Sequence, residues 1–75
     1  MKRYDPDEVL KSRVTLFIEW LRHEAGLSYA DMARKTGVAV QHIAGHEFSA
    51  KRAYKIAMAF KSRIADFDRY YGWEK

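Results

Sequence analysis

The sequence predicts an all-α protein, a compact bundle of four to five helices forming one domain over residues 1–75. Three observations carry that prediction. Apolar residues recur at helical spacing along most of the chain. The four glycines and the single proline fall between those periodic stretches like punctuation. No stretch alternates with β-branched enrichment, so a sheet is not expected.

The first helix is expected over residues 6–25. Asp5 can cap a helix that begins at Pro6, and Glu8, three residues after the cap, makes it a capping box, with Tyr4 and Val9 at the hydrophobic-staple positions. Leu10, Val14, Phe17, Ile18, Leu21 and Ala25 then follow one helical face, and Gly26 is a natural stop. A second apolar stripe of Val9, Leu16 and Trp20 lies beside that face.

The second helix starts at once. Ser28 caps it, Asp31 completes a capping box, and Leu27 with Met32 forms a staple. Met32, Ala33 and Thr36 share its inner face before Gly37 ends it after about two turns. A third short helix is expected over residues 40–48, with Val38 in the preceding turn and Ile43 on its inner face. Ser49 can cap a fourth helix that turns Ala53, Ile56, Ala57 and Phe60 inward and Lys51, Arg52, Lys55, Lys61 and Arg63 outward. Ile64, Phe67, Tyr70 and Tyr71 continue the same period, so this helix either runs on to about Tyr71 or breaks near Ser62, which could cap a fifth helix.

Composition narrows the function. A chain of 75 residues buries only about 60% of the surface that its unfolded form exposes, and with no cysteine it has neither disulfide nor thiolate zinc site. An unstapled core this small favours a partner subunit. The 48% apolar and 15% aromatic content excludes disorder, and 32% charged residues suit a globular surface. No secretory or membrane segment is seen, so a cytoplasmic protein is expected. The formal charge is +4, from 14 Lys and Arg against 10 Asp and Glu. Residues 1–37 are nearly balanced, with seven basic and six acidic, whereas residues 48–65 hold five basic residues and no acid. The surplus therefore follows the third helix directly.

The stretch Leu27-Ser28-Tyr29-Ala30-Asp31-Met32-Ala33-Arg34-Lys35-Thr36-Gly37-Val38-Ala39-Val40-Gln41-His42-Ile43 resembles the helix-turn-helix of the Cro and lambda-repressor-like (XRE-type) family. Ala33 matches the small residue where the two helices cross, Gly37 the turn glycine, Val38 the buried turn residue and Ile43 the inner anchor of the recognition helix. Glu47 and the later Lys55-Ile56-Ala57-Met58-Ala59-Phe60 are similar to family features, and the resemblance covers residues 17–60. Thr36, His46 and a short connection before Ala53 depart from the pattern. The short connection is similar to that of phage Ner-type regulators. The resemblance implies a helix-turn-helix at about residues 28–48 within a lambda-repressor-like DNA-binding domain. It also implies a phage- or bacterial-type transcriptional regulator, a repressor that occupies double-stranded DNA.

With Val38 and Ile43 inward, Ala39, Val40, Gln41, Ala44 and Gly45 face out as candidate base readers. Gln41 can bond an adenine edge bidentately, while Val40 and Ala44 suit thymine methyl groups. The alternative for Ala44 and Gly45 is that they are small only to let helices pack closely. Phosphate contacts are assigned to Lys51, Arg52, Lys55 and His42, and to the second helix's N-terminus at Ser28 and Tyr29. Lys2 and Arg3 form at most a weak basic arm. Two-fold dimerisation through Phe67, Tyr70, Tyr71 and Trp73 would set two recognition helices one DNA turn apart, and folding of that tail onto the first helix is the alternative.

His42 and His46 lie four apart beside Glu47 without an evident third ligand, so no metal is expected. No catalytic constellation, cofactor, small-molecule ligand or membrane partner is expected either. The competing reading is a helical interaction module, an adaptor or antitoxin, whose basic fourth helix docks an acidic partner.

Overall fold

The computed structural model describes residues 5–71. The chain forms α1 (Pro6–His23), α2 (Tyr29–Thr36), α3 (Val40–Ala44), α4 (Ala50–Ala59), a 3-10 turn (Lys61–Arg63) and α5 (Ile64–Tyr71). No strand occurs among the described residues. The fold is an all-α globule with a Cα radius of gyration of 12.2 Å.

Local chemistry explains most boundaries. Asp5 Oδ1 accepts the Asp7 N–H at 3.1 Å and starts α1. The expected box is not completed at this cap, because Glu8 pairs with Lys11 at 2.9 Å and its carboxylate turns along the helix. Tyr4, the expected staple partner of Val9, lies outside the described residues. α1 ends at His23, two residues before the expected Ala25, and Gly26 turns the chain at φ 76°. α2 begins with the full capping box: Ser28 Oγ accepts the Asp31 N–H at 3.0 Å and Asp31 Oδ2 accepts the Ser28 N–H at 3.1 Å. Gly37 closes it in the left-handed conformation at φ 77°, where a Cβ would strain the backbone.

One element, α3, differs from expectation, and of the two alternatives left open for the fourth helix the break near Ser62 is the one found. α3 stops at Ala44 rather than continuing to Phe48. The Glu47 N–H donates to His42 O at 2.9 Å and the His46 N–H to Ile43 O at 3.2 Å. That pair of bonds is a Schellman closure, with His46 itself at φ 56° in the position glycine usually takes. The fourth helix, for its part, breaks at Phe60, whose φ of −118° and ψ of 28° leave the helical region. Ser62 lies inside the following 3-10 turn and not at a cap.

The core is assembled from every α-helix. α1 contributes Val14, Phe17, Ile18, Trp20 and Leu21, and α2 contributes Met32. Val38, Ile43, Ala53, Ile56, Phe60 and Phe67 complete it. Ile18, Leu21, Met32, Ile43 and Ile56 are fully enclosed, each stabilising the fold by about 1.5–3 kcal/mol relative to exposure. α4 packs on α1 and α2, and α2 on α3. Trp20, expected on a second stripe outside the core, is buried. It lies 6.1 Å from the Phe17 ring and 5.8 Å from the Phe67 ring.

Phe67 thereby leaves the set of dimer candidates. It is only 2% exposed and packs on α1, which is the intramolecular alternative for the aromatic tail. Arg13 of α1 pairs with Asp68 and fastens the same helix from outside the core. Tyr70 and Tyr71 remain exposed on α5. Trp73 lies outside the described residues, as do Lys2 and Arg3.

Candidate nucleic-acid interface

Because Val38 and Ile43 are 4% and 0% exposed, α3 is anchored from beneath at both ends of its inner face. Thr36 reinforces this anchor in place of a larger apolar side chain. Its hydroxyl donates to Met32 O at 2.8 Å and accepts the buried Val38 N–H at 3.1 Å. A polar residue at this buried position is thus fully used, and it fixes the turn leading into α3.

All five candidate base readers, Ala39, Val40, Gln41, Ala44 and Gly45, are exposed. Ala39, Val40, Ala44 and Gly45 carry little or no side chain beyond a branched stub, so Gln41 supplies the hydrogen-bonding capacity of this surface. Gly45 has a local reason to be glycine as well. A Cβ there would lie 3.1 Å from the Gln41 carbonyl oxygen, inside the turn that ends α3.

The candidate phosphate contacts divide. Lys51, Arg52 and Lys55 are exposed on α4, which Ser49 begins by accepting the Arg52 N–H at 3.3 Å. His42 is half-buried, with Nδ1 enclosed and lacking a protein hydrogen-bond partner. Its Nε2 is therefore the ring atom left to reach an anion. Ser28 is weaker than expected, because Asp31 occupies both its N–H and the acceptor side of its hydroxyl. The same Asp31 carboxyl is held below its ordinary pKa range by the Ser28 N–H and hydroxyl and by Arg34, so a negative charge stands beside this helix start. Tyr29 directs its hydroxyl away, to Glu19 Oε2 at 2.9 Å, and keeps only its backbone for such a contact.

Tyr54 is a surface residue that the sequence reading passed over. It is 59% exposed on α4, between Lys51 and Lys55, with exposed Met58 one turn on. Its signal in the sequence was an aromatic on the outward side of a helix whose other outward residues are basic.

Glu19 of α1 underlies this surface. Its Oε2 accepts from Tyr29 and meets His46 Nε2 at 2.8 Å, and its Oε1 lies 3.5 Å from His23 Nε2. Desolvation pushes the Glu19 carboxyl upward, but the bonds from His46 and Tyr29 and the charges of His46 and His23 outweigh it and hold the pKa below the ordinary value. The Arg22 guanidinium sits 4.7 Å over the Tyr29 ring.

No group of three or more metal-ligating side chains occurs among the described residues. Nor does any helix among them have the length and apolarity to cross a membrane. Comparison of the chain with protein-family models, curated proteins and solved structures finds no match.

Proposed function

We propose that this chain is a sequence-specific DNA-binding regulator in which α2 and α3 act as a helix-turn-helix and α3 enters the major groove. The observation that carries the reading is the division of α3 and its turn. Val38 and Ile43 are locked into the core while Ala39, Val40, Gln41, Ala44 and Gly45 stand exposed. A groove-reading helix needs that pairing of a rigid inner face with short or hydrogen-bonding outer side chains. Lys51, Arg52 and Lys55 follow on α4 and supply phosphate contacts. In this reading the regulator acts by occupying its site, as a repressor of phage or bacterial type. Two copies joined through the exposed Tyr70 and Tyr71 surface would read a palindrome, with half-sites about 34 Å apart.

A fluorescence-anisotropy titration against random duplex DNA at two salt concentrations tests this. Micromolar or tighter binding that weakens steeply with salt is expected, and Lys51→Ala should lower the salt slope by about one unit. Salt-independent or absent binding would instead favour the interaction-module reading, in which the basic face of α4, with Lys51, Arg52 and Lys55, docks an acidic partner.

A further inference from the structure

We infer that Glu19 is a positioning residue for the α3 surface: a single carboxylate ties the first residue of α2 and the closing residue of α3 to α1. The inference rests on the DNA-reading role proposed for α3.

The geometry has two arms. Through Tyr29, whose hydroxyl donates at 2.9 Å, Glu19 holds the start of α2. Through His46 Nε2, at 2.8 Å, it holds the turn that ends α3, 27 residues away in sequence. Between these two attachments lies the whole exposed reading surface, residues 39–45. His23, on the same helix, is the other charged group at the carboxylate, and the Arg22 guanidinium packs over the Tyr29 ring.

The His46 arm also accounts for where α3 stops. The pattern of residues 40–48 is compatible with a longer helix, yet the chain turns at His46 with φ 56°. Left-handed backbone is unfavourable for a residue with a Cβ and persists when the surroundings hold it. Glu19 is the side chain that does so here. Released from it, His46 loses its reason to remain left-handed. Residues 45–48 are then able to add to α3, and the rim of the reading surface moves relative to Gln41.

The test compares wild-type protein with Glu19→Ala and the milder Glu19→Gln. Amide exchange is the first readout and is independent of DNA. The Glu47 N–H, bonded to His42 O at 2.9 Å in the closing turn, should lose about tenfold or more of its protection in Glu19→Ala, with a smaller loss in Glu19→Gln. The second readout is the ratio of affinity for a selected duplex to affinity for random duplex. It should fall about tenfold, the loss of one well-aligned base contact, while random-duplex affinity and its salt slope stay as in the wild type. A purely structural role would lower the melting temperature and leave that ratio unchanged.

Unchanged Glu47 protection in both variants overturns the inference. An unchanged ratio with lost protection overturns the positioning role. If wild-type protein ignores DNA altogether, the proposed function fails while the exchange measurement still decides whether Glu19 holds the turn. His46→Gly gives a further check: glycine keeps the left-handed turn without support from a carboxylate, so in the His46→Gly background Glu19→Ala should no longer lower Glu47 protection. A loss of protection as large as in the single Glu19→Ala variant contradicts the inference.

Discussion

The rings of Phe17 and Phe67 lie 4.9 Å apart at an interplanar angle of 54°, joining the middle of the first helix to the last. Trp20 and Tyr71 extend the contact from either side, at 5.8 and 5.1 Å from the Phe67 ring. α5 is therefore held by an aromatic cluster as well as by the Arg13–Asp68 pair. Phe67→Ala should destabilise the protein by about 3–5 kcal/mol, measured by urea or thermal unfolding. Tyr70→Ala, at a position 58% exposed, should cost far less. Equal losses would mean that α5 is not organised around Phe67.

Thr36 offers a second measurement. Its hydroxyl is the acceptor for the buried Val38 N–H. Thr36→Val keeps the shape and leaves that donor unsatisfied, which costs about 1–3 kcal/mol. Thr36→Ser, which retains the hydroxyl, should recover much of the loss. If valine proves neutral in equilibrium unfolding, the turn does not depend on this bond.

Gly37 separates strain from space. A Cβ there meets nothing within 4 Å, yet φ is 77°. Gly37→Ala should therefore destabilise by about 1–2 kcal/mol through backbone conformation alone. An alanine variant as stable as the wild type would show that the turn relaxes.

Acid should weaken the fold through Glu19 and Asp31. Both carboxyls are held below their ordinary values, Glu19 by His46, Tyr29 and His23 against desolvation, and Asp31 by Ser28 and Arg34. A group whose pKa is lowered on folding contributes stability above its unfolded value and loses it as pH falls through the folded one. Thermal midpoints should thus drop as pH falls below about 4, with a shallower drop in Asp31→Asn. The Asp31 share should shrink in high salt, since that carboxylate pairs at the surface. Midpoints that stay flat into strong acid would contradict the assignment.

What could be read from sequence follows from the range of the forces involved. The starts of α1, α2 and α4 rest on Asp5, Ser28 and Ser49 acting two or three residues ahead, so those starts were visible in the chain. Gly37 likewise announced its turn. The end of α3 was not visible, because a histidine takes the glycine position with support from Glu19, which is remote in sequence. Phe67 was ambiguous for a related reason: an aromatic at helical spacing suits a core or an interface equally, and only the rings of Phe17 and Trp20 decide between them. In the candidate site, the outward faces of α3 and α4 could be read from periodicity. The competition of Asp31 for Ser28 was also written in the capping box, and its effect on anion binding became clear from the two bonds together.

The most direct test of the central claim is selection of bound sites from a random duplex pool, carried out in parallel with wild-type protein and Gln41→Ala. An enriched, palindromic motif is expected for the wild type, and for Gln41→Ala a loss of preference at one base-pair position per half-site, worth about 1–3 kcal/mol. No enriched motif, or the same motif from both proteins, would contradict the placement of α3 as the reading helix.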